Sequence, residues 1–494
     1  MYKHFPNIST IRTLLFTNTT ARQTILKNTF WLGVGTGINK LLALGLVIYA
    51  ARILEPEGYG QFTFALAFAS LLMIFSDLGL SSIVTREFAR EKERKDELYS
   101  LISLKIVLAF ATFLFILAAS FFTVQTRDIQ AVILLLAFFL LANSLIGVFY
   151  SFFHARQKME YEAWFEALQV AMIFGFGLFV LSNFPSAKNL SYVYFFSAIV
   201  VLVLVFLFFH VKVFPLKLKW DFLVWKKYLK MSWPLALVSL FGILYSYTDS
   251  VMLGYWNMFA EAGWYNAAYK IVMASLVPVG FIGASFYPAL SKFSKESKEK
   301  LQKAWDYELE IMIALAVPLV AGGMILASKI IYSFYPLEFG PSILAFQILI
   351  STAGLVFLHR PLYDALIVLD QEKKTFWIIM MGAALNVVLN AILIPRYTLY
   401  GAAIATVCTH ALVLLAMMVF VKRFTFLQFP VLRIGLTLWA SSLGVFLMYE
   451  VLRYLSWYPL NIFFLVAVGG ATYFLVFFLL RKYVLLRYLK QTYA

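Results

Sequence analysis

Seven ionisable side chains lie where an apolar chain least tolerates them. Lys40, Lys105, Lys270 and Arg360 place cations, and Asp77, Asp249 and Asp364 place carboxylates, inside long runs dominated by Leu, Ile, Val, Phe and Ala. In a bilayer each such charge costs about 2.5–3.5 kcal/mol on insertion scales, so it faces a cavity or a partner. An ammonium or guanidinium group there attracts a phosphate-like anion, the first as a point charge and the second through a fork of donors. Lys40, Lys270 and Arg360 are therefore candidate hosts for an anionic ligand group. Asn386 and Asn390, an i, i+4 pair, are candidate hydrogen-bonding neighbours, and interhelical hydrogen bonding is their other reading. Asp77, Asp249 and Asp364 are the candidate coupling or switching partners in ion pairs.

Polar residues accompany these charges at helical spacing. Thr29, Gly33 and Thr36 share a face with Lys40; Thr63, Ser70 and Ser81 share one with Asp77; Ser239, Gly242 and Ser246 share one with Asp249; and Asn266 precedes Lys270 by four. If neighbouring runs are antiparallel, Lys270 and Asp249 come to similar depth around a turn near Ala260. Lys40 and Asp77 do so around Glu57, with a mismatch of about 4.5 Å. Each pair can fix helix packing, contact a ligand or change partner, and these readings stay open. Arg360 and Asp364 can form a local salt bridge or part of a cavity wall. Lys105, near the inner end of its run, is expected to snorkel to the surface. Glu162 and Glu166 are expected at the interface, and His410 as a packing residue.

Catalytic chemistry finds no footing. No Gly-rich phosphate loop, metal-ligand spacing or nucleophile constellation occurs, and the single cysteine, Cys408, precludes an internal disulfide. The gaps between apolar runs are too short to hold a separate domain with acid–base groups. Neither an enzyme nor a metal or other cofactor is expected.

The elements that carry these residues are membrane spans. Of 494 residues 62% are hydrophobic, and fourteen apolar runs between residues 27 and 480 each approach or exceed the roughly 20 residues that cross a hydrocarbon core. The net charge of +16 is an orientation signal: 31 of the 41 Lys and Arg residues fall in alternate gaps, 6 in the intervening ones and 4 inside runs. This asymmetry places both termini in the cytoplasm. It also implies attraction to anionic membrane lipids rather than to nucleic acid. No signal peptide is expected in residues 1–26, where Ile8, Ile11, Leu14 and Leu15 can line a short surface helix. The gap at 212–231 is basic, and its Trp220, Phe222, Leu223, Trp225 and Tyr228 suggest an amphipathic interfacial segment.

That gap divides the chain, and an internal repeat supports the division. Gly58 and Ala69 recur as Gly263 and Ala274, both offset by 205 residues, with Ser and Leu after each alanine. The expected architecture is an all-α polytopic membrane protein of about fourteen transmembrane helices. Its parts are a cytoplasmic tail (1–26), a six-helix lobe (27–211), the basic linker (212–231), a second six-helix lobe in parallel pseudo-repeat (232–421), two additional helices (422–480) and a cytoplasmic tail (481–494). A parallel repeat relates the lobes by an axis along the membrane normal, with a ligand cleft between them.

Several ordered blocks resemble one family. They are Arg52-Ile-Leu-Glu-Pro-Glu-Gly-Tyr-Gly60 leading into Phe75-Ser-Asp-Leu-Gly79, Asp249-Ser-Val-Met-Leu-Gly254 with Ala262-Gly-Trp-Tyr-Asn-Ala-Ala-Tyr-Lys270, Phe286-Tyr-Pro-Ala-Leu290, Leu385-Asn-Val-Val-Leu-Asn390 and Gly401-Ala-Ala-Ile-Ala-Thr406. Together they resemble the polysaccharide-transporter branch of the multidrug/oligosaccharidyl-lipid/polysaccharide (MOP) exporter superfamily, the Wzx-like flippases. The resemblance implies a flippase that carries a polyprenyl-(pyro)phosphate-linked oligosaccharide to the outer leaflet of the plasma (inner) membrane by alternating access. It also implies glycan polymerase or glycosyltransferase partners. Two other classes are carried beside it: a Na⁺- or H⁺-coupled drug or metabolite exporter of a sister branch, and a non-transporting scaffold of a glycan-synthesis complex.

Overall fold

The computed structural model describes residues 21–90, 95–124, 126–213, 215, 217–455 and 457–492, with most side chains of 21–36 and those of 482–492 outside the description. The surface helix expected around Ile8 to Leu15 lies outside the described residues. The chain folds into helices, and no strand occurs among the described residues. It packs as two compact units, the first ending at Tyr255 and the second beginning at Trp256.

The first unit holds α1 (Ala21–Leu72), the single turn α2 (Ile74–Asp77), α3 (Leu80–Arg90), α4 (Lys95–Thr123), α5 (Arg127–Ala155), α6 (Met159–Asn183), α7 (Ala187–Lys212) and α8 (Phe222–Tyr255). α5 is its hub, packing on α1, α3, α4 and α7. The second unit holds α9 (Phe259–Ser275), α10 (Val277–Glu296), α11 (Lys298–Phe334), α12 (Ser342–Val368), α13 (Glu372–Phe424), α14 (Val431–Leu455) and α15 (Ile462–Thr492). There α12 is the hub, against α9, α10, α11 and α13. α8 packs against α1, α3 and α4. The seventh run therefore belongs with the first unit, whereas the lobe reading began the second lobe at residue 232.

Twelve helices among the described residues are long and apolar enough to cross a membrane. Two hold more chain than one crossing needs. The 52 residues of α1 are interrupted at Glu55 (φ 59°, ψ 175°), just before Pro56. The 53 residues of α13 are interrupted at Thr398 (φ 50°, ψ −129°). A Cβ on Gly401 would stand 2.3 Å from the Leu393 carbonyl oxygen. Residues eight apart in a straight helix are separated by about 12 Å along the axis, so the chain doubles back at this break. The expected number of about fourteen counted each of these two elements as a pair of runs.

Small residues set the close approaches. Gly354 meets Val320 and Gly323 meets Ile350, where an added Cβ would lie 2.7 Å from the facing side chain in each case, so α11 and α12 interlock reciprocally. The final two helices dock on α11. The Tyr473 hydroxyl bonds the Ala314 carbonyl and the Ser441 hydroxyl, each at 2.8 Å. Arg481 reaches Glu310 at 2.5 Å, and Arg433 stands 3.9 Å from both Asp306 and Glu310. Outward-facing Phe110, Phe121, Phe176 and Phe179 are all more than half exposed, as expected where the surrounding solvent is lipid.

The basic segment differs from the expected interfacial helix. From Phe222 it is continuous with the following span. Trp225 and Tyr228 are buried in a core with Phe88, Phe152 and Phe209. The Trp225 indole donates to the Ser100 carbonyl at 2.9 Å, Lys227 pairs with Glu97 at 3.1 Å and Lys219 with Asp96 at 2.9 Å. Trp220, Phe222 and Leu223 remain exposed. The segment thus straps the start of α8 to the start of α4.

Candidate functional site

The first unit builds its polar site at a break in the chain. After α1 the backbone makes the one-turn α2 and passes through Leu78 (φ 46°) and Gly79 (φ 75°) before α3 begins. Gly79 has no alternative at this point. A Cβ there would stand 2.9 Å from Leu235 and 3.0 Å from the Ala236 nitrogen of α8, on top of the strain of the left-handed conformation. The break turns Asp77 toward α4. Its carboxylate accepts from the Ser81 hydroxyl at 2.5 Å and pairs with Lys105. The Lys105 ammonium also donates to the Ser144 hydroxyl at 3.0 Å and the Ser76 carbonyl at 3.3 Å, and Ser76 bonds Ser144 at 2.8 Å.

This corrects two expectations. Asp77 pairs with Lys105, not Lys40, and Lys105 is 2% exposed rather than snorkelling to the surface. Nor do Thr63 and Ser70 share one continuous helical face with Asp77, because the break intervenes. Lys40 is exposed on α1 and makes no ion pair among the described residues. Among its expected face-mates, the side chains of Thr29, Gly33 and Thr36 lie outside the described residues.

Two hollows meet at Lys105. Ser76, Asp77, Ser81, Asn143 and Ser144 bring polar groups to a cavity of about 290 Å³ that Met73, Leu140 and Gly147 complete. The Asn143 amide oxygen is held by the Gln169 amide at 2.9 Å. A groove of about 600 Å³ runs between α4, α5 and α7, walled by side chains such as Ile106, Leu145, Phe149 and Phe206, with Lys217 among its lining residues. Lys105 lines the groove while its ammonium bonds Asp77 and Ser144 of the cavity. Cationic, hydrogen-bonding and apolar surfaces are therefore contiguous within one unit.

The same unit carries ion pairs that the sequence reading did not single out. Lys27, 2% exposed, binds Glu160 at 3.0 Å. Glu162 pairs with His154, and Asn39 donates to Glu166 at 3.4 Å. Glu162 and Glu166 thus join helix to helix. Asp249 is buried at 6% exposure near the end of α8.

In the second unit Arg360 donates to Asp364 at 2.7 Å, as the i, i+4 spacing predicts. Asp364 is buried while the guanidinium side chain keeps 29% of its exposure. Arg360 lies over Gly283 of α10, where a Cβ would stand 2.5 Å from the guanidinium carbon. Asn390 donates to Asn386 at 3.0 Å with both residues buried. Lys270, half-buried on α9, has no hydrogen-bond or ion-pair partner among the described residues, and Asn266 instead donates to the Ala262 carbonyl at 2.8 Å. His410 stacks on His359 with ring centroids 5.8 Å apart, a packing role. Glu308 of α11 was missed altogether. It is fully buried beside Asp364, and its one signal was a carboxylate inside the ninth apolar run.

The family model described as "Polysaccharide biosynthesis protein" matches residues 25–294, more than half of the chain. The chain belongs to this family. Among relatives, the probable flippase AglR of Haloferax volcanii is 27% identical over 239 residues, which is 46% of this chain and 49% of AglR. The probable low-salt glycan biosynthesis flippase Agl15 of the same organism is 23% identical over 201 residues, 40% of this chain and 42% of Agl15. The chain thus spans about half the length of these two curated relatives, or less. A solved structure titled "Lipid II flippase MurJ, inward closed conformation" superposes with a TM-score of 0.76 at 15% identity, covering 93% of this chain and 99% of that one. At that identity the likeness is one of fold. The branch that the ordered motifs resemble is the branch these relationships support.

Proposed function

We propose that this family member is a flippase that moves a polyprenyl-(pyro)phosphate-linked oligosaccharide from the cytoplasmic to the outer leaflet by alternating access, for cell-surface polysaccharide biosynthesis. One observation carries the proposal: Lys105 stands between a polar cavity and an apolar groove. A lipid-linked glycan is amphiphilic in the same sense. Its sugars seek hydroxyl and amide groups, its phosphate a cation and its prenyl chain a dry channel. Of the cations inside the apolar runs, Lys40 and Lys270 make no ion pair among the described residues and are open to a phosphate, with Arg360 a third once it leaves Asp364. Asn386 and Asn390 would reach a sugar only by giving up their mutual hydrogen bond.

The exporter alternative needs acids open to a cationic substrate. Asp77 and Asp364 are each occupied by an adjacent cation, which favours the anionic headgroup. An inside-negative potential would drive that headgroup outward by about 2.3 kcal/mol per charge per 100 mV. In this reading the protein resides in the plasma membrane with both termini cytoplasmic. Glycosyltransferases or a glycan polymerase would be its neighbours. The test is transbilayer movement of such a lipid in vesicles that hold the purified protein.

A further inference from the structure

We propose that Glu308 and Asp364 together hold one proton, making a proton-binding site in the second unit with Arg360 as its counter-charge and its route to the outside. Glu308 is 0% exposed, and neither of its carboxyl oxygens meets a hydrogen-bond donor among the described residues. Asp364 is equally buried. One of its oxygens accepts from Arg360 at 2.7 Å and the other has no donor. The two carboxyl groups are neighbours across the α11–α12 contact that the Trp305–Pro361 bond holds. As carboxylates they are acceptors facing acceptors, and one guanidinium cannot neutralise both. Like charges so close do not both ionise in a dry interior. A single proton on the pair supplies the missing donor and brings the three residues to zero net charge.

Among the described residues the surroundings offer no other neutralising group. On α11 the flanking Asp306 and Glu310 are engaged by Gln302 and Arg433 and by Arg481 and Arg433, respectively. From α12 come Tyr363 and His359, from α10 Tyr287, and from α13 His410, which stacks on His359. The Trp305 indole donates to the Pro361 carbonyl at 3.0 Å and so pins α11 to α12 one turn from Glu308. Arg360 alone of the three charged groups keeps substantial exposure, and it rests on the bare backbone of Gly283. A swing of this side chain off Asp364 would open the pair to a second proton. Its return would expel one.

The site is independent of what the protein transports, and so is its test. Infrared spectra of the purified full chain in lipid nanodiscs should show, at neutral pH, the carbonyl stretch of a protonated carboxylic acid, shifted in D₂O. Glu308→Gln keeps the shape and supplies a permanent donor, so the protein should fold, and Asp364 should ionise against Arg360 with loss of that band. Asp364→Asn, which leaves Glu308 to Arg360, should also remove it and serves if the first variant fails to accumulate. Arg360→Gln should about double the band, because both carboxyls then need a proton. A wild-type-minus-Glu308→Gln difference spectrum with no carboxylic-acid band would overturn the proposal. So would removal of the wild-type band by sodium chloride at fixed pH, which would make the site a metal cation's.

Discussion

Removing the charge at Lys105 separates a structural tie from an exposed ligand host. In Lys105→Met the chain keeps its length and its contacts in the apolar groove but loses the ion pair with Asp77 and two further charge-assisted bonds, from the ammonium to the Ser144 hydroxyl and the Ser76 carbonyl. A hydrogen bond to a charged group contributes about 1.5–3 kcal/mol, and leaving out the ammonium also removes the cost of burying it. Part of that loss is recovered, because the Asp77 side chain is 32% exposed and retains the Ser81 hydroxyl. The expected net cost is about 2–3 kcal/mol. Asp77→Asn should cost more, about 3–5 kcal/mol, because it strands an ammonium that is only 2% exposed. The doubly neutral protein should be more stable than Asp77→Asn alone, with a coupling of about 1–3 kcal/mol. Lys40→Met should leave stability unchanged, since Lys40 is exposed and makes no ion pair among the described residues. Thermal unfolding of the four purified variants in one detergent gives the ranking. Equal loss from Lys40→Met and Lys105→Met, or a double variant less stable than Asp77→Asn, would refute the assignment of Lys105 as the partner of Asp77.

Gly401→Ala should abolish accumulation of folded protein, because its Cβ meets a backbone oxygen that cannot rotate away, whereas Gly435→Ala, with open space around it, should accumulate normally on a membrane immunoblot. In a background without Cys408, a cysteine replacing Gly58 should react with an impermeant thiol reagent in intact cells and one replacing Lys298 should not; labelling at 298 from outside would reverse the orientation drawn from cation placement.

The fold was legible in the sequence because its signals are local and redundant. Apolar run length marks the spans. The Arg360–Asp364 pair was legible for a related reason: four residues on an unbroken helix bring two side chains together whatever else the chain does. The Lys40–Asp77 pairing failed because it assumed straight antiparallel helices around Glu57. The left-handed residues Leu78 and Gly79 set Asp77 off that axis and toward Lys105, a partner 28 positions away. Gly79 in Phe75-Ser-Asp-Leu-Gly79 was the available clue, but a lone glycine does not say which helix it must clear. Trp225 and Tyr228 were read as interfacial because aromatic residues among lysines have that composition. Their burial depends on docking against α4, which composition does not encode. Glu308 went unremarked for the same reason, since its significance lies in a neighbour from another helix.

Passage of a lipid-linked glycan across a bilayer can be followed directly. The most direct measurement reconstitutes the full chain into unilamellar vesicles containing a fluorescent polyprenyl-pyrophosphate-linked oligosaccharide and quenches the outer leaflet with a membrane-impermeant reagent. Quenching should rise from about half of the label toward all of it as protein is added. The rise should slow when Lys40 and Lys270 are both replaced by Met without loss of reconstituted protein. Quenching that stays at half with well-folded wild-type protein, under an imposed inside-negative potential and at every pH tested, would contradict the proposed flippase function.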